Sequence, residues 1–328
     1  MPNFEKINLS KEMFSEAKEK GLTLTELLSK NEKFQKGTKL SALGQQLATR
    51  NLSLAGAHAA LVDDFFKTED NRILFVETIN EMVRTGMDEE LKSFATLTDI
   101  TATRTGIAGT LYQSAAVDIE NSTAGASRVS EGAEFPAVTI KFKDKAIKLF
   151  KTGYKINATY ESIRRMKINV FGVAMKVIGR NITRQKVANA IDVLINGDGN
   201  GNPIKTINAI TSGTLTYADT INLAEEFVYF EPSMLISGKD MRIAYLNLPE
   251  YKDKNGPSMM EAPKKCNAIP IKRIIAMDAK ACLEEIYEKG GSLVEYDKII
   301  TKQVESAVVS EVSGFGKIFP EAAVMLNV

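Results

Sequence analysis

Apolar positions change their period along the chain, and each change marks a predicted element. From Thr139 to Ala158 they recur at every second residue, the spacing of a β-strand. The charged triplet 143–145 interrupts this stretch where a turn is expected, so the pattern predicts a two-stranded hairpin. From Asn169 to Asn196 the apolar residues return at helical spacing with no proline between them. We therefore expect a helix about 40 Å long, with Asn169 as its N-cap.

Glycines shape the predicted long helix. Gly172 and Gly179 each cost about 1 kcal/mol relative to alanine inside a helix, so they predict a close contact or a bend. The sequence I-N-G-D-G-N-G at 195–201 then ends the helix, since glycine favours the C′ position. Its polar spacing imitates the start of an EF-hand, but Ile207 stands where a bidentate glutamate is required. We interpret the segment as a helix-ending turn.

The first 66 residues show short helical patterns. Thr23 and Glu26 form a capping box, and the leucines that begin at Leu40 predict a further helix continuing to Phe65. The segment contains few aromatic residues, so we expect it to be a weak core former by itself. Residues 73–87 are apolar at both periods and are interpreted as a short strand or turn followed by a helix.

After residue 201 the predicted elements are short. A strand-like stretch, a helix over 220–230 and a buried strand at 232–237 followed by a helix come first. Prolines and charged residues over 248–270 predict a long loop. We expect strands at 296–309 and 322–326.

Charge is segregated along the chain although its net value is only +1 over 328 residues. Residues 141–186 contain thirteen Lys or Arg against Asp144 and Glu161, whereas residues 63–90 contain nine acidic residues against three basic ones. Opposed blocks in a nearly neutral chain indicate electrostatic register between parts or between copies. Wholesale nucleic-acid binding is not indicated.

The sequence offers few groups for chemistry. His58 is the only histidine, placed on a predicted helix, so no Ser-His or Cys-His couple can be assembled. The two cysteines, Cys266 and Cys282, lack zinc spacing and suggest a reducing compartment. No apolar run approaches 18 residues, so neither a signal peptide nor a membrane span is expected. We predict no catalytic residue, metal or cofactor.

A resemblance emerges from the order of these features. The motif V-S-E-G-A-E-F-P at 129–136, the lysine-bearing strands, the long helix and L-I-N-G-D-G-N-G at 194–201 resemble major capsid proteins of tailed bacteriophages with the Hong Kong 97 type fold. The resemblance implies an α+β fold and a structural protein, not an enzyme. It implies self-assembly into pentamers and hexamers of an icosahedral shell around double-stranded DNA. Synthesis would be in the bacterial cytoplasm and the final location the virion, with scaffold, portal and decoration proteins as further partners.

The resemblance also implies a division of the chain into the parts of that fold. The expected parts are an N-terminal helical segment at 1–66 that assists assembly, an N-terminal arm at 67–127, an extended-loop hairpin at 128–159, a peripheral domain at 160–217 with its spine helix at 169–196, an axial domain at 218–295, and return strands at 296–328.

Three groups of site residues follow from the resemblance together with the charge pattern. The extended loop, with Lys143 and Lys145 nearest its tip, is expected to grip an acidic surface of the adjacent subunit, while the basic stripe of the helix faces DNA. The loop residues are Glu131, Phe135, Lys141, Lys143, Lys145, Lys148 and Lys151; the acidic surface is Asp63, Asp64, Glu69, Asp70, Glu89 and Glu90; the stripe is Lys176, Arg180 and Arg184.

Two other interpretations remain open. An encapsulin-like compartment would use the same fold for an enzyme cargo, although the helical N-terminal segment favours the phage protein. A cytoplasmic enzyme that uses clustered carboxylates is the alternative from a different class, and it lacks a supporting motif.

Overall fold

The computed structural model describes residues 4–10, 12–89, 93–117, 140–159, 161, 165–252, 260–289, 293–299 and 304–328. The chain divides into two compact units. Unit 1 contains Met1–Glu89, Lys151–Arg184 and Glu288–Val312, and unit 2 contains Glu90–Phe150, Gln185–Tyr287 and Ser313–Val328. Three residues of the predicted sites, Glu90, Glu131 and Phe135, lie outside the described residues.

Helices dominate the first ninety residues and return later in the chain. The α-helices are α1 (Glu12–Glu19), α2 (Leu24–Ser29), α3 (Ala42–Ala48), α4 (Glu69–Met87), α5 (Leu97–Ile100), α6 (Ile168–Asn196), α7 (Tyr217–Glu225), α8 (Lys239–Leu246) and α9 (Pro249–Lys252), with 3-10 helices at Val62–Phe66 and Pro320–Ala322.

Strands occupy the middle and the end of the chain. They are β1 (Thr101–Ile107), β2 (Leu111–Tyr112), β3 (Ala115–Val117), β4 (Ile140–Phe142), β5 (Ile147–Lys148), β6 (Phe150–Thr159), β7 (Lys205–Asn208), β8 (Met234–Ser237), β9 (Lys264–Lys265), β10 (Arg273–Met277), β11 (Leu283–Glu288), β12 (Leu293–Ile299), β13 (Val304–Lys317) and β14 (Ala323–Asn327).

The core of unit 1 is built largely from the N-terminal segment. Apolar side chains of this segment pack with those of α4 and α6, which present Leu74, Ile79 and Phe171 among others. The segment was expected to be a weak core former by itself, and here α4 and α6 supply the apolar surface with which it forms a core. Its buried contributors are Ile7, Leu9, Leu24, Leu28, Ala42, Leu43, Leu47, Leu52, Ala59, Val62 and Phe65.

Helices α4 and α6 cross with their backbones in contact inside unit 1. A Cβ added at Gly179 would lie 2.1 Å from the carbonyl oxygen of Val83, and one added at Gly86 would lie 2.1 Å from that of Lys176. Gly172 faces only the flexible side chain of Met82, at 3.0 Å. The close contact predicted at the two helix glycines is thus confirmed, and it is tightest at Gly179.

Unit 2 contains a mixed sheet in the order β7-β14-β10-β8-β9. Strand β10 is antiparallel to both β14 and β8, while β7 and β9 are parallel to their neighbours. Ile274 and Ala276 enter one apolar core, whereas Ile275 and Met277 enter another on the opposite face. Burial on both faces explains why this strand is a continuous apolar run rather than an alternating one.

Several predicted elements are confirmed. The long helix begins at Ile168, one residue before the predicted cap, and ends at Asn196, where Gly197 takes φ +91°. The capping box of Thr23 and Glu26 is present. The helix and the buried strand that were expected near 220–230 and 232–237 correspond to α7 and β8.

Other predictions are corrected. Residues 69–87 form one helix without a preceding strand, because Thr68 caps it and most of its apolar residues are buried. The third N-terminal helix stops at Ala48 instead of continuing to Phe65, so exposed His58 lies in a turn and not on a helix. The described part of the predicted 248–270 loop contains α9 and β9. The largest change concerns the predicted hairpin.

Candidate assembly surface and its buried root

The strands on either side of residues 118–139 form an antiparallel ribbon in unit 2. Strand β3 pairs with β4, and β2 pairs with β5, so residues 111–117 run alongside residues 140–148. The predicted pairing of the segments before and after 143–145 is wrong, because each segment finds its partner elsewhere. Strand β6, the continuation of the second segment, pairs with β13.

The ribbon presents apolar and basic side chains to solvent. Leu111 is 65% exposed and Phe142 is 72% exposed, although both are large apolar residues. Phe150, which follows the ribbon directly, is 62% exposed. These exposed apolar side chains make the stretch a candidate interaction surface. The exposed lysines of the same stretch are Lys141, Lys145, Lys148 and Lys151.

The base of the ribbon, here called the root (residues 110–112 and 143–149), lies against the end of β13. A Cβ added at Gly316 would fall 2.3 Å from the Cδ1 of Ile147, and one at Gly314 would fall 3.1 Å from the carbonyl oxygen of Lys148. Ile147 and Leu149 are buried there. The glycines of the S-G-F-G sequence at 313–316 therefore provide the space that the root occupies.

A buried charged cluster holds the root on its polar side. The Lys143 Nζ lies 2.9 Å from the Oδ2 of Asp198 and also donates to the carbonyl oxygen of Lys317. The same Asp198 oxygen accepts the backbone N–H of Lys317 at 3.1 Å. The Lys317 Nζ in turn donates to the carbonyl oxygen of Asn202 at 2.8 Å. The side chains of Lys143 and Asp198 are 7% and 0% exposed, so these contacts are shielded from water.

Burial and pairing oppose each other in this cluster. Burial would raise the pKa of Asp198, but hydrogen bonds from Lys143 and Asn200 outweigh it and the pKa lies below its usual value. Burial lowers the pKa of Lys317 to about 8, because the nearby carboxylate replaces only part of the hydration that the ammonium loses. When both lysines are protonated, the cluster has two positive charges and one negative charge.

The glycine-rich loop after α6 is shaped to reach the root. Gly197, Gly199 and Gly201 all have positive φ, which brings the side chains between them toward the ribbon. The Oδ1 of Asn200 accepts the backbone N–H of Lys145 at 2.9 Å, and its Nδ2 donates to the carbonyl oxygen of that residue at 3.3 Å. This loop is thus the helix-ending turn that was predicted. It is also a binding loop for the ribbon, which was not predicted.

A second buried ion pair lies between α6 and β11 in unit 2. The Lys186 Nζ is 2.6 Å from the Oε1 of Glu285, and both side chains are almost fully buried. The guanidinium of Arg104, on the neighbouring strand β1, lies 3.2 Å from the other oxygen of that carboxylate. Glu285 therefore connects helix α6 to strands β11 and β1.

The predicted acidic surface is engaged largely within unit 1. Asp64 pairs with Lys67, and Asp70 lies 3.0 Å from the guanidinium of buried Arg50. Glu89 accepts a hydrogen bond of 2.8 Å from the Nε of Arg180, a member of the predicted basic stripe. The basic block at 141–186 and the acidic block at 63–90 therefore contact each other within one chain, at the pair of Arg180 and Glu89.

The predicted loop lysines separate into two kinds. Lys143 was expected near an exposed tip, yet its ammonium is buried against Asp198; that placement is wrong, because an internal carboxylate captures it. Lys145 is exposed at its side chain while its backbone is bound by Asn200. Lys141, Lys148 and Lys151 remain exposed as expected.

Within the described ranges, no group of three or more His, Cys, Asp or Glu is placed to hold a metal ion. Among the helices that the structure describes, none combines the length and apolarity needed to cross a bilayer.

Solved structures with a similar fold provide the comparison. The chain of a native GTA particle capsid superposes with a TM-score of 0.55 at 14% identity, covering 73% of this chain and 91% of that one. A phage-related protein from Bordetella bronchiseptica gives a TM-score of 0.52 at 8% identity over 75% and 95% of the two chains. The virus-like particle of Pyrococcus furiosus gives 0.50 at 16% identity over 76% and 98%.

Neither a protein-family model nor a curated protein sequence matches the chain. At these identities the structural similarity defines the fold. The predicted α+β fold of the Hong Kong 97 capsid type is confirmed.

Proposed function

We propose that the chain is the major capsid protein of a tailed bacteriophage, a structural protein that assembles with copies of itself into the icosahedral head. The fold carries this proposal, because two of the matched chains are named as a capsid of a GTA particle and as a virus-like particle. Pentamers and hexamers around double-stranded DNA are the expected arrangement, and the virion is the expected location.

The ribbon is our candidate for the extended loop that reaches the adjacent subunit. Its span of 111–148 begins earlier in the chain than the 128–159 that the sequence suggested. Exposed Leu111 and Phe142 supply apolar area, and Lys141 supplies a charge at the same edge. Since Asp64, Asp70 and Glu89 already have cationic partners, apolar contact is expected to contribute more than ion pairs.

The N-terminal segment is proposed to remain in the finished shell. Removing it would expose the apolar faces of α4 and α6, with which its side chains form the core of unit 1. It therefore belongs to the peripheral part of the subunit in this proposal, whatever help it gives to assembly. Axial and peripheral domains are otherwise assigned to residues 218–295 and to 160–217 with 296–328.

The basic stripe is proposed to contact packaged DNA without sequence preference. Lys176 and Arg184 lie exposed on α6, whereas Arg180 is held by Glu89. Phosphate attraction of this kind weakens as salt rises.

Replacing an exposed apolar residue and an exposed lysine of the ribbon by glutamate tests the proposed contact between subunits. The variant Phe142→Glu with Lys141→Glu should leave the monomer folded, since both side chains are exposed, and should abolish closed shells in electron micrographs. The matched control is Lys67→Glu with Val228→Glu, two exposed positions outside the ribbon. Normal shells from the ribbon variant would contradict the assigned contact, and loss of shells in both would show only a general sensitivity to charge.

An encapsulin-like compartment is the second candidate, because the fold alone does not separate the two. Assembled particles should protect DNA from nuclease if the phage assignment is right. Particles that instead contain a foreign protein and no nucleic acid would favour the compartment.

A further inference from the structure

The pairing of the ribbon is interrupted at one place. Leu111 and Tyr112 pair with Lys148 and Ile147, and the pairing resumes at Ala115 with Phe142. Two residues on one strand therefore face four on the other, residues 143–146. A bulge of this kind bends a ribbon and divides it into two parts, here the root and a distal limb formed by β3 and β4.

The bulge is the segment that the glycine-rich loop holds. The backbone N–H of Lys143 donates to the carbonyl oxygen of Ser114 at 2.9 Å, which keeps the bulge in line with the opposite strand. Its side chain reaches Asp198, and the next contact, at Lys145, is made by Asn200. The direction in which the distal limb leaves the root is thus fixed by loop 197–202.

Buried charged side chains are unusual at a contact such as that between the bulge and the loop. An apolar pair of the same size commonly gives equal or greater stability, since it avoids the desolvation of ions. Here Lys143 and Lys317 share a single carboxylate, with Cys282 and Glu321 the further titratable groups near the second lysine. Such a cluster selects one geometry strongly, because any displacement leaves a buried ion unpaired, yet it adds little net stability.

We propose that the bulge 143–146 and the loop 197–202 form a latch that sets the direction of the distal limb, and that breaking the Lys143–Asp198 contact frees the bulge and the distal limb while residues 147–149 of the root stay packed on β13. The proposal rests on the assembly function for its biological role, but the latch itself is a property of the single chain. Ile147 on the glycines of β13 would act as the fixed side of the joint.

Hydrogen exchange measured by mass spectrometry on the full chain tests the latch. Lys143→Met retains the length of the side chain without its charge, and Asp198→Asn retains the shape of the carboxylate. Both should increase the exchange rate of peptides covering 113–117 and 140–146 by roughly tenfold to a hundredfold, the effect of losing a buried charged hydrogen bond. Peptides of β10 and β14 should be unchanged. The matched control is Lys280→Met, an exposed lysine of unit 2 outside the ribbon.

Each outcome of the hydrogen-exchange experiment either supports the latch or contradicts it. Exchange in both latch variants equal to that of Lys280→Met would overturn the proposal, as would faster exchange throughout unit 2. If circular dichroism shows that Lys143→Met does not fold, Asn200→Ala decides, because it removes the side-chain contacts to Lys145 and the hydrogen bond to Asp198 while both charges of the Lys143–Asp198 pair remain. Electron microscopy of the wild-type chain separates the two claims. Shells without a latch effect would leave the function intact, and a latch effect in a chain that never assembles would leave only the latch.

Discussion

Two close backbone approaches, one in each unit, are achieved by different means. In unit 1, α4 and α6 meet at Gly86 and Gly179 and are surrounded by apolar side chains. In unit 2, the root meets β13 at Gly314 and Gly316, but its other side is held by buried charges. Burial of apolar area is favourable without a strict preference for direction. A buried ion pair, by contrast, loses free energy in any arrangement that separates its two charges. The crossing of α4 and α6 is therefore suited to a contact that stays closed, and the root to a contact that sets the direction of the distal limb.

The largest effect is expected at the helix crossing of unit 1. Gly179→Ala would place a methyl group 2.1 Å from a main-chain oxygen, so the helices must separate. We expect a loss of about 3 kcal/mol or more in the free energy of unfolding, despite the gain in helix propensity. Urea denaturation followed by circular dichroism measures it.

Gly172→Ala is the matched control for this crossing. Only the Met82 side chain lies near the added methyl group, and it can move aside, so stability should stay within about 1 kcal/mol of the wild type. Equal losses in the two variants would show that glycine flexibility, not the close approach, explains both positions.

A somewhat smaller effect is expected from the N-terminal segment. Leu43→Ala removes a side chain that is 1% exposed in the unit 1 core and should cost about 2–5 kcal/mol. Leu40→Ala, at a residue that is 42% exposed, should cost under about 1 kcal/mol. The proposed permanent role of the segment fails if both changes are equally mild in urea denaturation.

The last effect develops with pH and concerns the charged cluster of unit 2. The pKa of Lys317 is about 8 when folded against an ordinary 10.5, so between these values the unfolded chain binds a proton that the folded chain does not. The free energy of unfolding should therefore rise with pH across this window, by up to about 1.4 kcal/mol per pH unit, and stay independent of this lysine below pH 8.

Comparison with Lys317→Met isolates that contribution. The stability of the wild type relative to this variant should increase from pH 8 to pH 10, measured by urea denaturation at each pH. Lys148→Met, an exposed change on the ribbon, is the control. A difference that is constant with pH for Lys317→Met would contradict the assigned cause of the shift.

Periodicity in the sequence predicted the parts of the fold that apolar packing determines. The 29-residue helix, its two interior glycines and the short strands of unit 2 all follow from local pattern and from the conformational preferences of glycine. The capsid fold was predicted from a resemblance to the major capsid proteins of tailed bacteriophages, and not from periodicity alone.

Pairing over long sequence distances could not be predicted in the same way. Strand β4 has the same alternation whether it pairs with β3 or with its successor, and nothing local distinguishes the two. Lys143 resembles the exposed Lys141 in sequence, and only Asp198, 55 residues later, makes it a buried residue. The available signal was the polar sequence D-G-N-G-N after the helix, whose positive-φ glycines indicated a shaped loop but not its target.

The most direct measurement is size-exclusion chromatography with light scattering, together with negative-stain electron microscopy, of the wild-type chain expressed alone. The proposed function predicts closed particles, tubes, or pentameric and hexameric rings. A chain that remains monomeric at every concentration, with its fold intact by circular dichroism, would contradict the assignment as a major capsid protein.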